Sequence, residues 1–138
     1  MSYRKTSVLA GLFGLSLSCI THSTSVFCPS KITTTQQMTG EYGEWKPFVD
    51  DAVHGMDGVS FYSGDPHEQA VLKPDSFVKG KATWRFASGN TIYIVCQYNQ
   101  TIIRLSKVLP AYTTQCQVSY NPSINGANGP VPSNIACH

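Results

Sequence analysis

Charge is scarce in this chain. Asp, Glu, Lys and Arg make up 13% of its 138 residues, and residues 76–138 contain no acid at all. A nucleic-acid-binding surface needs a basic excess to displace phosphate counterions, and none is present. Long apolar runs are also missing: the stretch from Val8 to Leu17 is about half of the ~20 residues that a helix needs to cross a bilayer, so no stable membrane anchor is expected. There is no internal repeat, no C-x-x-C pair, no H-x-x-x-H spacing and no Gly-x-Ser-x-Gly elbow. These absences remove the recognisable forms of a structural zinc site, a zinc-protease helix and an α/β-hydrolase nucleophile.

What is present begins at the N-terminus. Arg4 and Lys5 precede the short apolar run, and Ser23-Thr24-Ser25 offers the small residues that a signal peptidase reads. Residues 1–25 therefore read as a secretory signal peptide, and 26–138 as one domain exported to the periplasm or beyond. Cys19 is expected to carry no lipid, because the position three before it is Ser16 rather than Leu. Removing the signal leaves Cys28, Cys96, Cys116 and Cys137. An even set in an oxidising compartment reads as two disulfides, and the wide spacing argues against a metal site. The expected pairing is Cys116 with Cys137 and Cys28 with Cys96, since the last strand should fold back opposite position 116. Peptide mapping would choose between it and the two other connectivities. Loss of Arg4 and Lys5 also takes the net charge from +2 to zero, with every acid left between residues 26 and 75.

Abundant Tyr, Phe, Thr, Ile and Val favour strands. Ala82 to Ala87 alternates, with Trp84 and Phe86 on one side, and Ser88-Gly89-Asn90 is a turn. Thr91 to Tyr98 and Thr101 to Lys107 read as a hairpin around Asn99-Gln100, with Cys96 opposite Ile103 and Ile94 opposite Leu105. Thr113 to Tyr120 is a further strand, Asn121 to Pro132 a loop, and Val131 to Cys137 an edge strand. In the first half Cys28 to Thr35 and Val59 to Tyr62 read as strands, while Glu41 to His54 is irregular or briefly helical near Pro47 to Val53. The fold expected is mainly β: a small antiparallel sheet of six or seven strands, curled into a partial barrel or sandwich and stapled by disulfides.

The outward face of the main hairpin carries Arg85, Tyr93, Val95, Gln97, Ile102 and Arg104, an apolar patch with two guanidiniums and no acid. Tyr and Arg dominate protein-binding hot spots, so Arg85, Tyr93, Val95, Ile102 and Arg104 are the candidate binding residues. The competing expectation is that the Glu41 to Asp57 segment covers this face and supplies carboxylates to the arginines. A second candidate centre is His54 and His67 with Asp57 and Asp65, which would serve a small enzyme or a metal binder. A third is a glycan-binding face using Trp84, Tyr93 and Arg85. The leading expectation is a non-enzymatic binding protein that needs no cofactor and no metal. Its partner would be another protein of the cell envelope, with the chain acting as an inhibitor or immunity factor against a cell-wall-directed enzyme.

The order of Gly64-Asp65-Pro66, Leu72-Lys73-Pro74-Asp75, Ala82-Thr83-Trp84, Cys96-Gln97-Tyr98, Leu109-Pro110 and Cys116-Gln117-Val118-Ser119-Tyr120 resembles a family of small exported proteins of Gram-negative bacteria named after a Salmonella Typhi locus tag. That resemblance implies the periplasm and transfers no catalytic residue. Ser88-Gly89-Asn90-Thr91-Ile92-Tyr93 is more distantly similar to the inhibitory loop of the small periplasmic lysozyme inhibitors, an analogy of scaffold and not of target.

Overall fold

The computed structural model describes residues 24–138, so Cys19 and all but the last two residues of the expected signal peptide lie outside the described residues. Ten strands follow one another: β1 (Thr24–Ser25), β2 (Lys31–Thr34), β3 (Ala52–Ser63), β4 (Val71–Leu72), β5 (Ser76–Val78), β6 (Lys81–Arg85), β7 (Ile92–Tyr98), β8 (Arg104–Val108), β9 (Gln115–Gly126) and β10 (Gly129–Cys137). They exceed the six or seven expected because several are two- or three-residue edge pairings. All strand pairs are antiparallel. One sheet runs β1-β10-β9-β6-β5, the other β2-β3-β7-β8 with β4 beside β3. The two curl around a common core as a partial barrel.

Alternation decides what enters that core. Ile92 and Ile94 from β7 meet Val59 and Phe61 from β3, and across from them lie Ala82, Trp84, Cys116, Val118 and Ile135. Phe61 sits at the centre, its ring 4.9 Å from Trp84 and 5.6 Å from Phe86. The Trp84 indole N–H donates to the Leu72 carbonyl at 3.0 Å, which satisfies its one donor inside the core. Both expected disulfides are formed. Cys116–Cys137 joins two directly paired residues of β9 and β10, and Cys28–Cys96 ties the segment before β2 to β7.

Several expectations are corrected. Ser88-Gly89-Asn90 is a turn as expected, but β6 and β7 belong to different sheets, so it carries the chain across the core instead of closing a hairpin. The β7–β8 connection is the five-residue loop 99–103, not a two-residue turn, and Cys96 faces Leu105 while Ile94 faces Lys107. The slip is two residues, so side-chain parity survives. Ile103 nonetheless leaves the inward set, and β8 lies exposed at the sheet edge. Asn121 to Pro132 is no loop, because β9 continues to Gly126 and pairs with β10 through two register shifts that absorb Pro130 and Pro132. No helix forms near Pro47 to Val53; instead Val59 to Tyr62 is the end of a twelve-residue strand, β3.

Candidate functional site

Strand β3 is the axis on which the site is built. Its register with β7 shifts between Met56 and Gly58, which leaves Asp57 as the extra residue of a β-bulge. Before the bulge His54 is buried, and after it Val59 and Phe61 are, so the bulge reverses the alternation and turns Asp57 inward. Asp57 then accepts the Ala127 N–H at 2.9 Å and the Asn128 side-chain amide at 3.1 Å, which pins the tip of the β9–β10 hairpin against β3. Gly126 makes this approach possible, since a Cβ there would fall on the Asp57 carboxylate.

His54 performs a similar task one turn of the strand earlier. Its Nδ1 lies 2.8 Å from the Asn99 carbonyl, which can only accept, so Nδ1 carries the proton and Nε2 accepts from the Thr34 hydroxyl at 2.9 Å. The Asn99 side chain in turn accepts the Gly55 N–H. These bonds hold the end of β2 and the 99–103 loop to β3.

Three connections thereby meet at one end of the barrel: the start of the β2–β3 loop, the 99–103 loop and the β9–β10 tip. Between them opens a cleft of about 740 Å³, with Asp57 and Tyr98 among its lining residues. The β2–β3 connection, residues 35–51, is exposed throughout. It is closed at its base by the Thr35 hydroxyl donating to Asp51 at 2.7 Å, and it carries Tyr42, Trp45 and Phe48 at 61%, 84% and 89% exposure. It covers neither Arg85 nor Arg104, which overturns the expectation that it would shield the hairpin face. Ile102, at 97% exposure, stands at the crest of the 99–103 loop.

The predicted binding residues divide. Tyr93, Val95 and Arg104 share the outer face of the β3-β7-β8 sheet, where Val95 is buried rather than exposed. It forms the base of a groove of about 300 Å³ that Tyr62, His67, Ile102 and Arg104 also line. Arg85 lies on the opposite sheet, exposed, with its backbone N–H on the Asp75 carboxylate. Two sheets that share a core turn their outer faces apart, so Arg85 and Arg104 do not form one patch. Trp84 is 5% exposed, which removes it from any sugar-stacking face.

The histidine–carboxylate centre does not assemble either. His54 and the Tyr62 end of β3, beside which His67 lies, are eight residues apart, roughly 26 Å along an extended strand. Asp65 accepts the His67 backbone N–H and starts the short 3₁₀ turn Pro66–Glu68. Among the described residues no group of three or more His, Cys, Asp or Glu side chains is placed to hold a metal ion. Sequence reading missed Tyr98 and the aromatic arm. The arm's Tyr42, Trp45 and Phe48 were legible as residues, but their spacing carries no strand or helix period that would mark them as presented to solvent.

Exposed aromatic and aliphatic side chains on loops gathered over a rigid, disulfide-stapled sheet describe a small recognition domain. The chain belongs to the type VI secretion system Tli immunity protein family, whose profile matches residues 50–138. That span holds β3 to β10 and the whole cleft floor. No curated protein and no solved structure matches the chain.

Proposed function

We propose that this protein is a non-enzymatic immunity protein of the periplasm, which neutralises a secreted effector enzyme of the cell envelope by binding it. Family membership supports the immunity role. The signal peptide expected from sequence and the two disulfides support the compartment, and no described helix is long and apolar enough to cross a membrane. The cell-wall-directed target expected from sequence is one case of this wider class.

The observation that carries the reading is the loop end of the barrel. Ile102 stands almost fully exposed between the cleft and the Val95–Arg104 groove, and the 35–51 arm, whose first residues line the cleft, carries three exposed aromatics. Isolated exposed apolar residues are ordinary, but a cluster of this kind on loops marks an interface. Such anchors fill pockets on a partner while Arg104 supplies directed hydrogen bonds. The test is the variant pair Ile102→Asp and Trp45→Ala in the exported protein. Each should weaken effector binding at least tenfold and abolish protection of cells producing the effector, with the thermal midpoint unchanged. Full protection by both variants would place the interface elsewhere.

A further inference from the structure

Two buried polar groups at the floor of the cleft are short of partners. The Asp57 carboxylate is 5% exposed and receives two hydrogen bonds, about half of what its two oxygens can accept. Tyr98 is 4% exposed, and its hydroxyl is the one buried side-chain polar atom among the described residues with no hydrogen-bond partner. Burial also pushes the phenol up from its ordinary range, so the group stays protonated and neutral. Both line the cleft, and Tyr98 pairs with Met56, the residue before Asp57.

The rest of the lining is uncharged. Thr34, Gln36, Gln37, Gln100 and Thr101 supply polar walls, no Lys or Arg takes part, and Asp51 at the Thr35 rim adds a second negative charge. A buried carboxylate without a counter-charge gains more from a cation than an exposed one does, because water screens it less. A bare metal ion would want several Asp, Glu, His or Cys side chains, and no group of three or more is placed to hold one among the described residues. The cleft has the volume of a drug-sized ligand site, which leaves room for a long side chain and the loop that bears it.

We propose that the cleft receives a basic side chain, lysine or arginine, from a loop of the effector, with its cation seated against the Asp57 carboxylate and the Tyr98 oxygen. This rests on the immunity reading for the identity of the partner, but the chemistry of the cleft can be tested without it. The hydrophobic anchors around the rim then exclude water from the pair, and Asp57 selects against partners that lack the charge.

Two measurements decide it. In the first, a candidate type VI secretion effector of the same cells is titrated by calorimetry against the parent protein, Asp57→Asn and Tyr98→Phe. The Asn variant keeps the shape of the site and should bind roughly ten- to a hundredfold more weakly, as expected for a lost charged hydrogen bond. Tyr98→Phe removes a hydroxyl that has no hydrogen-bond partner within the described protein residues, so it should weaken binding several-fold while its thermal midpoint stays level or rises. Binding of the effector by both folded variants as tightly as by the parent overturns the proposal. In the second, N-acetyl-arginine amide and its uncharged citrulline counterpart are titrated into the isotope-labelled protein. Saturable shifts at the Ala127 amide and the Asn128 side chain with the arginine probe alone, lost in Asp57→Asn, support the cation seat. Equal shifts with both probes, or none with either, count against it. An effector that fails to bind the parent sinks the immunity reading instead, and the arginine titration still judges the cleft.

Discussion

The carboxylate of Asp57 on β3 and the backbone N–H of Ala127 at the tip of the β9–β10 hairpin are bonded at 2.9 Å across seventy positions of sequence. This contact joins the two sheets at the open end of the barrel and fixes one wall of the cleft. Gly126→Ala forces a methyl group onto the carboxylate and should destabilise the protein by about 1–3 kcal/mol, the usual cost of overpacking a buried site. Urea unfolding measures it. A Gly126→Ala protein as stable as the parent would mean that the hairpin tip is free to move away from Asp57.

The two histidines should behave oppositely. His54 is 3% exposed and bonded through both ring nitrogens, so His54→Ala leaves the Asn99 carbonyl and the Thr34 hydroxyl without their partner and should cost about 1–3 kcal/mol. His67 is exposed and its ring makes no hydrogen bond, so His67→Ala should stay within about 0.5 kcal/mol. Thermal unfolding of the two single variants separates the cases. Loss of protection in His67→Ala with an unchanged midpoint would instead give that ring a role in the groove.

The two disulfides should contribute unequally. Cys28–Cys96 closes a separation of 68 and Cys116–Cys137 one of 21, for which chain entropy gives about 4 and about 3 kcal/mol. Replacing each pair with serine and comparing denaturant midpoints tests the order. The reverse order would show that the buried Cys116–Cys137 pair contributes by packing more than by restricting the unfolded chain.

Arg85 and Arg104 should be separable in function. Arg104 borders the groove beside Val95 and Ile102, and its replacement by alanine should weaken effector binding by about 1–2 kcal/mol, as hot-spot arginines do. Arg85 lies on the other sheet and uses only its backbone N–H in the bond to Asp75, which alanine preserves. Surface plasmon resonance on the single variants is sufficient. Equal losses for both would require a partner that wraps around the domain.

The strands that alternate cleanly were legible before the structure: Trp84 and Phe86, Ile92 and Ile94, and Cys116 with Val118 all face inward as their spacing requires. Strand β3 was hidden because Gly55, Asp57 and Gly58 are poor strand formers and the bulge at Asp57 breaks the period of two. The β9–β10 hairpin was hidden by its Asn, Gly and Pro content, which composition reads as a loop. Sheet membership was the costliest blind spot. Nothing in the spacing of Arg85 and Tyr93 shows that the short turn between them changes sheets, so a surface drawn on one hairpin is in fact split between two faces. The cleft escaped sequence reading for a related reason: its walls come from positions near 35, 100 and 127, and only long-range hydrogen bonds bring them together.

Both sulfur bridges span segments that meet late in the chain: Cys28 waits for Cys96, and Cys116 for Cys137, next to the last residue. A small domain with a modest core that leans on such links gains its full stability only where thiols are oxidised. Copies whose thiols are still reduced should then be less stable and hold a partner less firmly. On the proposed reading, protection would rise with oxidation, and a cell that falls behind in oxidising its thiols would lose it without any change to the gene.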